Sequence, residues 1–396
     1  MKASLFQKLP NVIPTKEFKQ TDAWEQRKLG DVVTIQGGGT PSSLNKKYWD
    51  GSINWFTPAE VIDKRYVEYS NKKITESGLQ NSSAVLMPKG TILFTSRASI
   101  GNMTFLSHPS ATNQGFQSLI ANSYCCNAEF LYAYGFRIKR FALRNAAGST
   151  FLEISKNELA KCPIKLPGLV EQSRIGEFFK TLDNLIAATE RKKELLQKKK
   201  QAYLQLIFSQ HLRFKGFTKP WRQTQISDIF HERRERNPEG ELLSISVANG
   251  VQVSTLSNNS MQDLSKYKVV VKNDLAYNSM RMWQGASGAS LYNGIVSPAY
   301  TVLVPQKDVN SQFYAYLFKT TKMLYIFRSF SQGMTSDTWN LKYPTLSKIN
   351  VLKPSLIEQN QIAELFKTLD ELIKANDKKL ELLKKKKKAY LQKMFI

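Results

Sequence analysis

Two short glycine-rich strings in each half of the chain combine arginine, hydroxyl and amide side chains. In the first half they span residues 95–101 and 112–118, and in the second half residues 277–286 and 294–300. Arginine can pair with guanine through two hydrogen bonds, asparagine and glutamine with adenine, and serine or threonine with phosphate. Glycine lets the backbone come close to a ligand. The strings therefore favour hydrogen-bonded recognition of a nucleic acid, although ordinary surface loops often have the same composition.

The candidate nucleic-acid contacts are polar residues of these strings together with Ser287, which directly follows the string 277–286. They are Thr95, Ser96, Arg97, Ser99, Asn113, Gln114, Asn278, Arg281, Gln284, Ser287 and Tyr300. For Arg97 and Arg281 we expect contact with phosphate more than readout of a base, because phosphate and sugar receive most hydrogen bonds in such interfaces. Trp49, Trp55 and Trp283 fit a hydrophobic core as well as they fit a nucleic-acid contact.

The sequence carries no pattern typical of covalent or metal chemistry. Its histidines, His108, His211 and His231, are scattered, and there is neither a metal-ligand spacing nor the phosphate loop of an ATPase. Residues 237–240 (NPEG) do not match the tetrapeptide of amino-methyltransferases, and residues 37–41 (GGGTP) indicate a loop rather than a cofactor-binding turn. We therefore predict no catalytic residue and no metal on this chain. A self-contained enzyme with a divergent site is the weaker alternative.

The charge balance points to a polyanionic partner. The chain has 57 Lys and Arg against 32 Asp and Glu, a formal net charge of +25. No apolar run approaches the roughly 20 residues of a membrane-spanning helix, and the N-terminal segment lacks the apolar stretch of a signal peptide. A nucleic acid is therefore a better candidate than a membrane. The cysteines, of which Cys125 and Cys126 are adjacent, favour a reducing cytoplasm.

A self-match at an offset of 187 residues organises the chain. Residues 167–208 and 354–395 align without a gap, and roughly 26 of the 42 positions are identical. Each copy has an a/d heptad seam and so predicts one long helix that packs on a partner helix. At 1.5 Å per residue each helix would be roughly 58 Å long. The two helices pack most simply on each other, and the alternative is that they join separate bundles.

The predicted coiled-coil and partner-binding residues belong to these two seams. They are Phe179, Leu182, Ile186, Leu196 and Tyr203 in the first copy, and Phe366, Leu369, Ile373, Leu383 and Tyr390 in the second.

Mixed segments precede both helices. Short apolar runs indicate the strands and loops of an α+β or mostly β domain; examples are Ala84–Met87, Thr91–Thr95, Lys268–Val271 and Tyr300–Val304. Phe130–Leu143 and Gln312–Phe327 resemble helices. The predicted order is a first domain (1–166), a long helix (167–210), a second domain (211–353) and a second long helix (354–396). The predicted fold class is α+β, with two domains separated by two long antiparallel coiled-coil helices and a pseudo-twofold internal repeat.

Several strings resemble the specificity subunits of type I restriction–modification systems. They are residues 24–31 (WEQRKLGD), 48–55 (YWDGSINW), 96–101 (SRASIG), 152–156 (LEISK), 280–285 (MRMWQG) and 341–346 (LKYPTL), together with both long helices. The resemblance covers nearly the whole chain, and the duplicated helices make it specific.

This resemblance implies two target-recognition domains that each read one half of a split double-stranded DNA site, with the helix pair setting the gap. It also implies two modification (methyltransferase) subunits docked on the repeated helices and restriction (motor–nuclease) subunits joining them. S-adenosylmethionine, ATP and Mg²⁺ would then be bound by those partners, and this chain would bind no cofactor. The second domain has residues 241–247 (ELLSISV) where the first has 48–51 (YWDG), so the half-sites are expected to differ. A scaffold that binds nucleic acid without sequence choice is the main alternative.

Overall fold

The computed structural model describes residues 23–62, 64–148, 152–254 and 263–395. These residues form two compact units. Unit 1 combines the described residues up to Ala188 with those from Glu381 onward, and unit 2 is Thr189–Leu380. Residues 1–22 of the predicted first domain lie outside the described residues, and the predicted domain boundaries stay a prediction.

Unit 1 contains short strands, three short or medium helices and part of each long helix. The strands are β1 (Glu25–Lys28), β2 (Val33–Gly37), β3 (Trp49–Phe56), β4 (Tyr66–Val67), β5 (Lys72–Ile74), β6 (Ile92–Phe94), β7 (Met103–Leu106), β8 (Ser110–Thr112), β9 (Gln117–Ala121) and β10 (Pro163–Leu166). The helices are α1 (Glu76–Gln80), α2 (Ala128–Asn145) and α3 (Lys156–Ala160), followed by the long helix α4 (Leu169–Phe208). The main sheet has the order β2-β9-β6-β7-β4, and smaller sheets are β5-β3-β8 and β1-β10.

Unit 2 repeats the central part of this plan. Its strands are β11 (Arg222–Gln225), β12 (Phe230–Glu232), β13 (Leu243–Ser246), β14 (Gly250–Val253), β15 (Lys268–Val270), β16 (Leu275–Asn278), β17 (Ser287–Ala289), β18 (Gly294–Val296), β19 (Tyr300–Pro305) and β20 (Asn350–Lys353). Its helices are α5 (Ile226–Ile229), α6 (Ser311–Leu317), α7 (Thr321–Phe330), α8 (Tyr343–Leu346) and the long α9 (Leu356–Met394). The main sheet has the order β12-β19-β16-β17, which matches β2-β9-β6-β7, and β11 pairs with β20 as β1 pairs with β10.

The long helices run antiparallel to each other within each unit. In unit 1 the rings of Phe178 and Tyr390 lie 5.2 Å apart. In unit 2 Lys193 of α4 forms an ion pair with Asp377 of α9 at 2.6 Å, and Lys200 forms one with Asp370 at 2.5 Å. The second pair lies seven residues later along α4 and seven residues earlier along α9, so the two helices run in opposite directions. The predicted α+β fold with two long antiparallel helices is confirmed, and the alternative of two separate bundles is wrong.

A buried glutamine fixes each domain to the start of its long helix. In unit 1 Gln172 accepts a hydrogen bond from the Asn127 backbone N–H at 2.8 Å and donates to the Pro167 carbonyl at 2.8 Å. In unit 2 Gln359 accepts from the Asn310 N–H at 2.9 Å and donates to the Pro354 carbonyl at 2.9 Å. Both asparagines also cap the helix that follows them. Because a buried amide without partners is costly, these bonds select one position of the helix against the domain.

The end of each long helix enters the hydrophobic core of the opposite repeat's domain. Phe395 is 1% exposed and stacks on Phe179 with ring centroids 5.8 Å apart. Phe208 is 9% exposed and stacks on Phe366 at 5.9 Å. Each phenylalanine pair is related to the other by the same offset of 187 residues. The repeated helices are therefore similar because the same packing site occurs in both units.

Two predicted elements are wrong in detail. Ala84–Met87 forms no strand: Met87 makes an isolated bridge to Ser110, and Pro88 then lacks the N–H that would continue a ladder. The predicted helix Gln312–Phe327 is two helices, because Thr320 leaves the helical conformation and caps α7 by accepting a hydrogen bond from the Met323 N–H.

Candidate nucleic-acid interface

In unit 1 the loop that follows β6 is held at two backbone points. The Ser96 N–H donates to the Gly115 carbonyl at 2.9 Å, and the Ser96 carbonyl accepts from the Ile154 N–H at 3.0 Å. Within the loop, the Thr95 hydroxyl donates to the Ser99 carbonyl at 2.5 Å. These bonds hold Ala98 at φ 60°, a left-handed conformation that is unfavourable for a side chain with a Cβ. Arg97, which is half-buried, therefore lies on a tightly constrained turn.

The second predicted string of unit 1 lies beside this turn. The Asn113 side chain accepts a hydrogen bond from the Gly115 N–H at 2.9 Å, and this bond shapes the loop before β9. The Thr40 hydroxyl donates to Gln114 Oε1 at 2.6 Å, and both side chains are exposed. The fold therefore brings the two strings together and adds Thr40, which sequence reasoning missed.

In unit 2 the loop that follows β16 is held in the same way. The Ser279 N–H donates to the Ala299 carbonyl at 3.2 Å, and the Ser279 carbonyl accepts from the Leu341 N–H at 2.8 Å. The Asn278 side chain accepts from the Met280 N–H at 3.0 Å. Gly285 closes the following turn at φ 88°, where glycine is favoured. Arg281 and Gln284 are exposed on this turn.

These loops are equivalent positions of one duplicated framework. Thr95 bridges Phe116 in unit 1, and Asn278 pairs with Tyr300 in unit 2. The donors to the two serine carbonyls, Ile154 and Leu341, are separated by 187 residues, the same offset as the helices. The internal repeat therefore extends from the helices to the candidate site, although the side chains in the loops have diverged.

Three predicted contacts are buried. Thr95, Ser96 and Ser287 are each 0% exposed. The Ser96 hydroxyl donates to Glu153 Oε1 at 3.1 Å, and the Ser287 hydroxyl has no hydrogen-bond partner among the described residues. The prediction that these hydroxyls contact nucleic acid directly does not fit their burial.

The other predicted contacts are accessible to different degrees. Arg97, Ser99, Asn113, Asn278 and Tyr300 are half-buried, and Gln114, Arg281 and Gln284 are exposed. Lys268 donates to the Tyr300 carbonyl at 2.8 Å, and burial lowers the pKa of this lysine. The accessible groups are thus arginines, amides and the side chains of Ser99 and Tyr300, all of which can donate to phosphate or base edges.

A second loop of unit 2, which sequence reasoning missed, packs beside Arg281. This tryptophan loop (Ser331–Asn340) is closed by a bridge between Gln332 and Asn340. Trp339 packs edge-on against Trp283 at 5.2 Å, and the Arg328 guanidinium lies 5.2 Å from the centre of the Trp339 ring. Residues 332–338 are all exposed. The two tryptophans therefore join the tryptophan loop to the turn that carries Arg281 and Gln284.

The predicted seam residues lie along the two long helices. Phe179, Phe366, Leu369 and Leu383 are buried, and Leu182, Ile186, Leu196, Tyr203, Ile373 and Tyr390 are half-buried. Whether any of them binds a partner subunit stays a prediction.

Within the part of the chain that the structure describes, no cluster of His, Cys, Asp or Glu side chains could hold a metal ion. Within the same residues, no helix is both long and apolar enough to span a membrane.

The fold and the site define a duplicated protein of two α+β domains, each with an arginine-bearing loop braced by two neighbouring segments. The family model described as "Type I restriction modification DNA specificity domain" matches residues 21–198 and 218–385. The chain therefore belongs to this family.

Similar proteins include the MjaIX specificity subunit of a type I restriction enzyme from Methanocaldococcus jannaschii. It is 36% identical over 193 residues, which cover 46% of this chain and 44% of the relative. The EcoR124I/EcoR124II specificity subunit from Escherichia coli is 31% identical over 204 residues, 48% of this chain and 50% of the relative. In these matches the chain spans about half the length of the relatives.

Two other similarities extend over nearly the whole chain. The MjaVIII specificity subunit from M. jannaschii is 22% identical over 422 residues, which cover 97% of this chain and 94% of the relative. The crystal structure of the S subunit of a type I restriction–modification system from M. genitalium superposes with a TM-score of 0.64 at 14% identity, covering 96% of this chain and 98% of that one. At that identity the structural similarity shows a shared fold.

Proposed function

We propose that this chain is the DNA-specificity subunit of a type I restriction–modification complex. Each domain reads one half of a bipartite, asymmetric double-stranded target, and partner subunits carry out adenine methylation and restriction there. The observation that supports this most directly is the duplicated loop framework, which presents Arg97 in unit 1 and Arg281 in unit 2 from equivalent, braced turns.

The electrostatics agree with this function. The net charge of +25 favours a polyanion. Of this charge only +7 lies on the two long helices (+3 in residues 170–208 and +4 in residues 357–395), so +18 lies outside them. The exposed Arg281, Gln284 and Gln114 offer donors of the kind that contact phosphate and bases.

The two half-sites are expected to differ in sequence. The backbone bonds that hold the two loops are shared, but the side chains are not: Arg97 follows the braced serine directly, whereas Met280 separates Ser279 from Arg281. Only unit 2 places a Trp283–Trp339 pair beside its arginine. Different side chains on the same framework recognise different base edges.

The chain acts without a catalytic centre of its own in this proposal. Two modification subunits dock on the repeated helices, and restriction subunits join that assembly in the cytoplasm. S-adenosylmethionine, ATP and Mg²⁺ belong to those partners, and the specificity subunit supplies recognition alone.

A binding experiment with half-site variants tests the proposal. The chain, assembled with its modification subunit, is offered a randomised duplex library, and the selected duplexes define the two half-sites. In this proposal Arg97 reads a base in one half-site rather than contacting phosphate alone. Arg97→Ala should therefore weaken binding about 5- to 150-fold, as expected for an arginine–base contact worth about 1–3 kcal/mol, and should relax selection in that half-site. Arg281→Ala should do the same in the other half-site.

Arg27→Ala is the matched control, because Arg27 carries the same charge on an exposed strand where it pairs with Glu25 at 2.9 Å. Its affinity and selectivity should stay within about twofold of the parent, as is usual for exposed ion pairs. Equal binding to scrambled duplexes by the assembled complex would support a scaffold without sequence choice and would contradict the proposal.

A further inference from the structure

A groove of about 430 Å³ lies in unit 1 between α2, α4 and the last turns of α9. Its apolar surface comes from Phe136, Ile186 and Leu391, all of which are half-buried. Phe136 packs against the buried Phe395 with ring centroids 5.9 Å apart, so the floor rests on the core of the unit. The groove therefore offers an apolar surface that an incoming side chain can cover.

The rim of this groove is strongly cationic. Arg140, Lys384, Lys387 and Lys388 line it, against the single lining carboxylate of Asp183. Asp183 is already bound by Lys387 at 2.6 Å and by the Arg65 guanidinium. Its charge is therefore compensated within the protein, and cations outnumber carboxylates among the lining residues.

The internal repeat shows that this charge is specific to unit 1. Residues 194–205 and 381–392 occupy equivalent positions and differ at two of them: Gln197 corresponds to Lys384, and Gln201 to Lys388. Both of these lysines line the groove, whereas Lys385 and Lys386, which are shared by the two copies, are absent from its lining. Within these segments the two helix copies thus differ only at positions that line the groove of unit 1, and there unit 1 has lysine where unit 2 has glutamine.

The domain side of the groove has diverged as well. Counted from the N-cap asparagines of α2 and α6, the position of Phe136 in unit 1 is occupied by Lys319 in unit 2. The Lys319 side chain is half-buried and donates to the Val247 carbonyl at 3.3 Å. Unit 2 therefore lacks the apolar floor residue as well as the two rim lysines.

We propose that the groove of unit 1 binds an acidic peptide segment of a partner protein, with one apolar side chain on the floor and carboxylates on the lysine rim. An apolar centre with a charged rim is the usual anatomy of a protein–protein interface. Nucleic-acid backbones are bound mainly through phosphate contacts, which an apolar floor does not provide. Since unit 2 lacks these features, one such segment binds per chain. This inference is independent of how the chain reads DNA.

The test uses the full chain and a fluorescein-labelled, end-capped peptide made only of Glu and Leu, with the leucines on one helical face. Fluorescence anisotropy measures its affinity and its stoichiometry. Lys384→Gln with Lys388→Gln installs the residues of the other repeat, so the helix is expected to fold, and circular dichroism verifies this. Lys385→Gln with Lys386→Gln is the control, because it removes the same charge from the same helix outside the groove. A Glu/Ser peptide of equal charge tests the apolar floor.

The proposal predicts one peptide per chain. It also predicts an affinity about 5- to 30-fold weaker in the Lys384/Lys388 variant, for two contacts of about 0.5–1 kcal/mol each. The control variant should stay within about twofold, and the Glu/Ser peptide should bind more weakly. Equal weakening by both double variants would show general attraction to a basic protein and would overturn the proposal. Weaker binding of duplex DNA, with unchanged peptide affinity, in the Lys384/Lys388 variant would assign the groove to nucleic acid instead.

Discussion

Phe395 should contribute more to the stability of unit 1 than any exposed residue of α9. Its side chain is 1% exposed and lies within 6.0 Å, between ring centroids, of Trp24, Phe130, Tyr134 and Phe179. Replacing a buried phenylalanine by alanine costs about 3–5 kcal/mol, from lost transfer free energy and from the cavity left behind. Phe395→Ala should therefore open the core of unit 1 far more often than the parent protein does.

The cysteines provide an assay that reports on unit 1 alone. Cys126 and Cys162 are free, are 1% exposed and belong to the same buried cluster as Phe395. Burial raises the pKa of each thiol to about 12, so neither reacts at neutral pH until the core opens. In Phe395→Ala the rate of thiol alkylation should rise roughly 150- to 5000-fold, since each 1.4 kcal/mol of opening free energy is a factor of ten.

Phe208→Ala is the matched control, because Phe208 fills the equivalent position in unit 2 and stacks on Phe366. It should destabilise unit 2 and leave the labelling of Cys126 and Cys162 within about threefold of the parent, since both thiols lie in the core of unit 1. A change of less than about tenfold in Phe395→Ala would refute the idea that the end of α9 completes the core of unit 1. Equal acceleration by both variants would refute the independence of the two cores.

The raised thiol pKa values, the tryptophan loop and the helix seam each give a further prediction. Burial disfavours the thiolates of Cys126 and Cys162 in the folded state. The free energy of unfolding should therefore be unaffected by these thiols below pH 9 and should fall towards pH 12 by up to about 1.4 kcal/mol per pH unit for each thiol. Urea denaturation at a series of pH values measures this slope, and alanine at both positions should flatten it. Trp339→Ala should weaken selection of one half-site about 2- to 13-fold in the duplex library, since a ring pair is worth about 0.5–1.5 kcal/mol, and Trp339→Phe should largely retain it. Equal loss of selection in both half-sites would contradict this. Leu383 is 7% exposed and Leu382 is 53% exposed. Leu383→Asp should therefore lower the free energy of unfolding by about 3 kcal/mol or more, whereas Leu382→Asp should leave it nearly unchanged, and thermal denaturation measures both.

The long helices were predictable because their sequence carries two independent signals. The heptad seam indicates a helix that needs a partner, and the ungapped repeat indicates that the same packing site occurs twice. Phe179 and Phe366 are therefore found at equivalent places against Phe395 and Phe208. Packing depends on side-chain shape, so it leaves a record in the sequence.

The loop sequences predict a candidate site in each half, but they do not predict that the two sites share one backbone framework. That framework consists of backbone bonds, from the N–H groups of Ser96 and Ser279 to the carbonyls of Gly115 and Ala299. Backbone bonds of this kind accept almost any side chain, so the sequences of the two loops can diverge while their geometry is kept. Composition alone also could not separate surface contacts from buried hydroxyl groups such as that of Ser287.

The tryptophan loop was missed because its signal is spread over distant positions. Trp339 is 56 residues from Trp283 in the sequence, and neither lies in a periodic segment that would pair them. The fold brings them together through the bond from the Leu341 N–H to the Ser279 carbonyl. Only the tertiary structure therefore reveals that residues 331–340 border the turn of Arg281.

DNA recognition by this chain is tested most directly by the methylome of cells that contain the modification subunit, with and without this chain. The proposed function predicts that the chain adds one methylated adenine motif with two specific parts and a nonspecific gap. It further predicts that Arg97→Ala alters one part of that motif and Arg281→Ala the other. An unchanged methylome, with assembly of the complex shown by co-purification, would contradict the proposal that this chain supplies the DNA specificity.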